Sequence, residues 1–484
     1  MTPSTPDWVK HAVFYQIFPD RFARSGTVDA HRTVTLKPWG HPPEEQGFQG
    51  GDLWGIIERI DYLQELGVTA LYLNPIFASA ANHRYHTFDY YTVDPLLGGN
   101  EALDALLDAA HRRDMRVVLD GVFNHASRGF WPFHHVLENG SDSPYTDWFY
   151  LTGDPLRPYS ADGDSCGYKS WANLPALPKL NTNHPAVCSF IFDVATHWVE
   201  QGIDGWRLDV PNEIDDDDFW RTFRTRVKSA NPEAYICGEI WTPADRWLQG
   251  DQFDAVMNYP LVDSLVGFVA PNTLRGFDHI HFDFEPRNGH QFTREVMTTL
   301  TRYPRAIQQA QFNLLDSHDT PRALWTLGEN REALRLAVLF LMTMPGAPCI
   351  YYGDEIGMSS AGDPHCREAF PWDRPSAWDE ELLSFFQKAI ALRHAHPVLR
   401  VGDIRVLHTT DRQAIFLRHT DTHEAVVAFN TAPELAHLTL PAPALEGVSY
   451  RAVWPPERSA SLDPSDPTVS LPARSAAVWI RSIA

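Results

Sequence analysis

Gly205-Trp206-Arg207-Leu208-Asp209 is a run of small, aromatic and aliphatic residues ending on a charged one, the pattern of a short buried β-strand. Side chains on a strand alternate faces, so Arg207 and Asp209 point the same way and can share one polar site at the strand's end. A salt bridge that only caps a strand would read the same, because ion-pair networks also perturb carboxylates. The neighbouring text decides between the two. Cys237-Gly238-Glu239-Ile240-Trp241 and Leu315-Asp316-Ser317-His318-Asp319 are further apolar runs that deliver acids, and Val117 to His125 is a fourth strand-like run followed by polar residues. Four strands with charged or polar groups at their C-terminal ends predict a parallel barrel, whose active site is assembled from several strand ends on one face.

The rest of the chain fits that prediction. Strands are expected at Ala12–Phe18, Leu71–Leu73 and Val117–Leu119, in the runs ending at Asp209 and Glu239, and at Ala255–Tyr259, Phe312–Leu315 and Cys349–Tyr352. Helical spacing marks Leu53–Leu66, Glu101–Arg113, His184–Gln201, Asp217–Ser229, Glu329–Met342 and Asp379–Ala395. Alternating elements give a parallel sheet. The stretch from Asn124 to Asn181, rich in Pro, Gly, Asp, Trp and His, is too long for an ordinary βα loop. After Gly402 the pattern changes to alternating runs separated by turn residues. The expected fold class is therefore α/β, a (β/α)₈ TIM barrel with a small domain inserted after the third strand and a C-terminal antiparallel β-sandwich. Its barrel occupies residues 1–123 and 183–400, the insert 124–182 and the last domain 401–484.

Composition narrows the partners. A formal charge of −22 argues against nucleic acid and anionic membrane, and favours a neutral substrate. No stretch approaches ~18 consecutive apolar residues, the length a membrane span needs. The start, Met1 to Asp7, shows no basic segment or apolar core, so no signal peptide is expected. Cys166, Cys188, Cys237, Cys349 and Cys366 are scattered and odd in number, without the spacing of a disulfide scaffold or a zinc site. Reduced thiols and a cytoplasmic setting follow.

Three carboxylates at strand ends, with an Arg, His residues and many aromatics, suit glycoside cleavage. One acid attacks the anomeric carbon and another protonates the leaving oxygen, about 5–5.5 Å away if configuration is retained. An ionised nucleophile raises the pKa of a neighbouring acid. Arg207 would hold Asp209 ionised, His125 and His318 would donate hydrogen bonds to sugar hydroxyls, and Tyr85 or a Trp would stack on a ring.

Asp120-Gly-Val-Phe-Asn-His125, Gly205 to Asp209, Gly238-Glu239-Ile-Trp241 and Ser317-His-Asp319 resemble, in order and on the matching strands, the four signature regions of the alpha-amylase family, glycoside hydrolase family 13. Leu177-Pro-Lys-Leu-Asn181 is similar to the MPKLN region of its neopullulanase, cyclomaltodextrinase and maltogenic amylase subgroup. Asn82-His-Arg-Tyr85 and Met344 to Gly353 fit the same subgroup. The resemblance runs from about His11 to Arg400. It implies Asp209 as nucleophile, Glu239 as general acid/base and Asp319 as the acid that binds ring hydroxyls and supports the transition state. Arg207, His125, His318 and Tyr85 would line the subsite of the reacting sugar. Asp363 and Arg367 resemble the pair of the next subsite, and a loop salt bridge would read the same. Trp241, Asn212 and Glu213 fall where the subgroup meets the acceptor sugar or water. Trp131, Trp171 and Trp372 are candidate platforms.

The chain also departs from the subgroup. An N-terminal β-domain that builds the subgroup's dimer is missing ahead of the barrel, so a monomer with a more open cleft is expected. The Asn/Asp cluster that often holds calcium in the first βα loop is largely absent from Arg24 to His31, while Gly50 and Asp52 remain. No cofactor is required, and a structural calcium is left open. Pro211-Asn212-Glu213 replaces the Lys-His pair that follows the nucleophile in many true alpha-amylases. The resemblance implies a retaining hydrolase of α-1,4 links in maltooligosaccharides, cyclodextrins or pullulan, with some transglycosylation. The rivals are an exo-acting α-glucosidase or trehalose-forming transglycosidase and, more remotely, an inert sugar-binding member.

Overall fold

The computed structural model describes residues 4–29, 34–161, 163, 165–276, 282, 284–440, 449–456, 462 and 468–483. Met1–Pro3, and Ala30 and His31 at the end of the first βα loop, lie outside the described residues. Eight parallel strands form one sheet: Phe14–Ile17, Ala70–Leu73, Arg116–Gly121, Gly205–Leu208, Tyr235–Gly238, Ala255–Val256, Phe312–Asn313 and Ala347–Tyr351. The first strand pairs with the eighth, and a parallel bridge between Met257 and Phe312 joins the sixth to the seventh, closing the barrel. The expected strands are all present, the sixth and seventh shortened to two residues each.

Residue parity along the strands sorts two cores. Phe14, Ala70, Val118, Cys237, Ala255, Phe312 and Ala347 fill the barrel interior. Their strand neighbours Tyr15, Leu71, Val117, Trp206, Ile236 and Ile350 face the surrounding helices. Gly205 is required by closeness: a Cβ there would run into the Tyr235 carbonyl on the next strand. Toward the C-terminal ends the inward positions turn polar, with Gln16, Tyr72, Asn74, Asp120, Arg207 and His318 all buried.

Several helices differ from expectation. The single helix expected over Leu53–Leu66 is two, Leu53–Glu58 and Ile60–Leu66, broken where Arg59 leaves helical geometry at φ −107°, ψ 8°. Asp52 caps the first by accepting from Gly55 N. Helices Pro260–Val269, Gly289–Leu300 and Arg305–Ala310 were not foreseen, and neither was the antiparallel hairpin Phe77–Ser79/Thr87–Val93, whose connection carries Tyr85. Helices Pro185–Glu200, Asp217–Ala230, Arg331–Thr343 and Glu380–Ala395 match the reading within two residues at each end.

Between the third strand and helix Pro185–Glu200 the chain forms one α-helix, Trp131–Asn139, with short helical turns and isolated bridges, Phe149 with Leu180, Leu151 with Tyr168 and Ser170 with Pro178. The bridge between His125 and Lys179 ties this segment to the end of the third strand. At the C-terminus a five-stranded antiparallel sheet (Asp403–Thr409, Gln413–His419, His423–Asn430, Ser475–Ser482, Arg451–Trp454) faces a two-stranded one (Ala436–Thr439, Thr468–Leu471). Ile415, Leu417, Val426, Leu438, Val469 and Trp479 pack between them. Buried Arg418 locks this sheet to the barrel, donating to the carbonyls of Thr343, Leu399 and Gly402. Among the described residues no helix is long and apolar enough to cross a membrane.

Candidate active site

Arg207 is the hub. Its strand pairs in register with the third strand, placing Arg207 opposite Asp120. Nη1 donates to Asp120 Oδ1 and Oδ2 at 2.8 and 3.0 Å, and to Asp209 Oδ1 at 3.2 Å. Nη2 lies 2.9 Å from Glu239 Oε2, an ionic contact off the hydrogen-bond direction. One guanidinium thus spans the two acids, whose separation is limited to two contacts and the width of that group. Both lie one residue beyond their strands.

Val210, which follows Asp209, sits in left-handed geometry at φ 35°. A β-branched residue rarely adopts it. The turn lets Val210 N donate to Glu239 Oε2 at 3.1 Å, while Trp241 Nε1 donates to Oε1 at 3.2 Å. Local strain therefore fixes one acid against the strand end of the other.

Asp120, which the sequence reading placed in a motif but gave no role, anchors the second half of the network. Tyr72 and Tyr85 hydroxyls each donate to its Oδ2 at 2.8 Å. The Tyr85 oxygen in turn lies 2.7 Å from His318 Nε2, and the two rings stack at 4° with centroids 5.4 Å apart. Gln16 Nε2 donates to His318 Nδ1 at 2.9 Å, so the imidazole proton sits on Nε2. That nitrogen is also 3.1 Å from Asp319 Oδ2. Gln16, Tyr72 and Asn74 complete the network unannounced by any motif; inward parity on the first two strands was the available signal.

The remaining residues divide. Arg367 brings the Asp363 loop to the site, reaching Asp363 Oδ1 at 2.9 Å, Asp319 Oδ1 at 3.3 Å and the His318 carbonyl at 2.9 Å. The loop salt bridge is present, and Arg367 also ties it to Asp319. His125 is buried and stacked against Trp171 at 5.3 Å, with its Nε2 unpartnered. Trp241 lies flat on Tyr259 at 3.7 Å. Asn212 and Glu213 are exposed, and Glu213 turns to Lys179, whose Nζ donates to its carbonyl at 2.7 Å. Trp372 is no platform. Phe370 stacks on its ring at 4.1 Å, and Arg59 lies over it at 4.5 Å. Trp131, 62% exposed, lines a separate hollow with Phe88 and Tyr91.

Burial governs the proton positions. It pushes Glu239 up to about 7, with Arg207 pulling back and Asp319 adding to the rise. Burial, and then the charge of Glu239, also raise Asp209 well above the usual carboxylate range. Two acids on one guanidinium share a proton more readily than they ionise together. Burial lowers His125 to about 3 and His318 well below its usual value, so both imidazoles are neutral donors. Among the described residues, no group of three or more His, Cys, Asp or Glu side chains is placed to hold a metal ion.

A barrel with paired buried carboxyls at its C-terminal mouth, flanked by neutral imidazoles and aromatic rings, is the arrangement of a glycoside hydrolase. The model of the alpha amylase catalytic domain matches residues 16–376, and the chain belongs to the alpha-amylase family. It is 44% identical over 440 residues to a cyclomaltodextrinase of Geobacillus thermopakistaniensis, covering 90% of this chain and 71% of that protein. Neopullulanase 2 of Thermoactinomyces vulgaris is also 44% identical, over 92% of this chain and 74% of its own. The crystal structure of a debranching enzyme from Nostoc punctiforme superposes with a TM-score of 0.89 at 43% identity, covering 99% of this chain and all of that one.

Proposed function

We propose that this glycoside hydrolase cleaves α-1,4-glucosidic links in maltooligosaccharides, cyclodextrins or pullulan with retention of configuration, transferring some glycosyl units to sugar acceptors. The observation that carries the reading is the single guanidinium held against Asp209 and Glu239. It keeps two buried acids close, where they share a proton more readily than they ionise together. In the reacting form the proton sits on Glu239 and the charge on Asp209. Asp209 attacks the anomeric carbon, and Glu239 hands its proton to the leaving oxygen. The same Glu239 then deprotonates water or an acceptor sugar, which releases the glycosyl group from Asp209.

His318 Nε2–H, His125 Nε2 and Asp319 would hold the hydroxyls of the reacting glucose, with Tyr85 beneath the ring and Arg367 and Asp363 around the next sugar. The unpartnered His125 Nε2 supports this, because a buried polar atom without a protein partner is costly unless a ligand satisfies it. Relatives named as cyclodextrin and pullulan hydrolases support the substrate class and give nothing to a trehalose-forming reading. Complete catalytic acids weigh against an inert sugar binder. Five free thiols, four of them buried, suit the cytoplasm.

Product analysis tests the substrate. β-Cyclodextrin is expected to be opened and maltotriose cut to maltose and glucose; refusal of the ring with release of glucose alone would establish the exo-acting rival. The pH profile tests the acid. Because Glu239 must be protonated to act and is pushed up to about 7, kcat/KM should fall as pH rises through that value. An alkaline limb that survives unmoved in Glu239→Gln would assign the titration to another group.

A further inference from the structure

The subgroup often holds calcium in its first βα loop, and here the Asp20 and Asp52 carboxylates beside the described part of this loop are already engaged by donors of the chain itself. Calcium takes about six to eight oxygen ligands at roughly 2.3–2.6 Å. Asp52 Oδ1 accepts from Gly55 N at 2.7 Å, and Oδ2 accepts from Ser25 N and Oγ at 3.2 and 3.0 Å. Buried Asp20 accepts from Gln49 N, Gly50 N and Arg21 Nε at 2.9, 3.1 and 2.7 Å. The Gln49 carbonyl accepts from Arg24 Nη2. Each of these carboxylate oxygens already accepts at least one hydrogen bond from a main-chain, hydroxyl or guanidinium donor.

Arg24 brings a cation to the same loop. Its guanidinium carbon lies over the Trp39 ring at 5.5 Å, and its Nε is 3.3 Å from where a Cβ on Gly50 would stand. Gly50 is held at φ 80°, a geometry that favours glycine.

We propose that Arg24 supplies, from within the chain, the positive charge that calcium supplies in this loop in other members, so that the described part of the loop is held without metal. The consequence reaches the candidate active site. The segment that Arg24 fastens also receives Asn82 Nδ2, which donates to the Gly47 carbonyl at 2.9 Å. Asp20, bonded to Gln49 and Gly50, orients Arg21, and Arg21 Nη1 donates to the carbonyl of Arg367 at 2.7 Å. Arg367 in turn meets Asp319. The inference rests on family membership and loop geometry, and stands independently of which glucan is cleaved.

Thermal unfolding of the full chain, at one scan rate, tests it in EDTA and in millimolar calcium chloride. The two melts are expected to coincide, and terbium is expected to give no Trp-sensitised luminescence that calcium displaces. Arg24→Ala should lower Tm by a few degrees in both solutions, and Arg24→Lys, which keeps the charge, should recover part of that loss. A calcium-dependent rise in the wild-type Tm, or calcium-displaceable terbium luminescence, overturns the proposal. So does an Arg24→Ala protein that melts with wild type. Should Arg24→Ala fail to fold, Arg24→Lys against wild type gives the same reading: metal-insensitive melts support built-in charge, and calcium rescue refutes it.

Discussion

Asp209→Asn should reduce hydrolysis of a maltodextrin by more than about 10³-fold, the scale of removing a covalent nucleophile. The protein should nevertheless keep or slightly raise its Tm. The physical reason for the second half is that Asp209 is buried, faces Glu239, and shares Arg207 with two other acids. Removing its charge relieves repulsion and a desolvation cost that the folded state otherwise bears. Glu239→Gln separates the two roles. An amide cannot protonate a glucosyl oxygen, so maltodextrin cleavage should collapse here as well. Fluoride leaves without protonation, so the first displacement on α-maltosyl fluoride should survive in Glu239→Gln and fail in Asp209→Asn. Equal losses of both variants on the fluoride would contradict the assigned roles. A normal rate for Asp209→Asn on maltodextrin would remove the mechanism entirely.

What the chain's text makes legible follows from how local each feature is. The strands ending at Asp209 and Glu239 are short, apolar and bounded by a charge, and period-two parity alone puts Arg207 and Asp209 on one face. Asp120 could have been read in the same way: it sits opposite Arg207 once the third and fourth strands are paired in register. Gln16 and Tyr72 also occupy inward positions, but a lone polar residue in an apolar run carries no sign of its partner. The loops are less legible. Glu213 lies four residues from Asp209, yet its direction is set by Lys179 from the segment between the third and fourth strands. Trp372 and Trp171 look equally suited to stacking on sugar until the packing shows Phe370 on one and His125 on the other.

Breaks inside elements are hidden for a related reason. Leu53–Leu66 keeps an apolar spacing compatible with one helix, and nothing in Arg59 itself announces the change of direction. The hairpin before the third strand is short and irregular in register, so its alternation is weak. It nonetheless carries Tyr85 into a site built from other strands. Side chains that act together here are chosen by the barrel's closure, and closure is a property of eight strands at once.

Asp120→Asn probes that closure most directly. The substitution keeps the shape of a side chain that receives Arg207, Tyr72 and Tyr85, but removes its charge. Activity should fall on the order of 10²-fold, the scale of losing one preorganised electrostatic partner. A merely structural role predicts that fall together with an unchanged pH profile. The electrostatic role predicts a shift, and its sign is fixed by the geometry. The charge of Asp120 raises both Asp209 and Glu239 and draws on the guanidinium that would otherwise serve those two alone. Without it both carboxyls titrate lower, so the alkaline limb set by Glu239 should move to lower pH than in the wild type. Tm should fall as well, unlike in Asp209→Asn, because Asp120 accepts from Arg207, Tyr72 and Tyr85 through both oxygens and an amide has only one oxygen to accept with, which leaves buried donors unpaired. A limb that stays in place, or moves upward, would mean that Asp120 holds Arg207 and Tyr85 by shape and does not tune the proton shared by the acids.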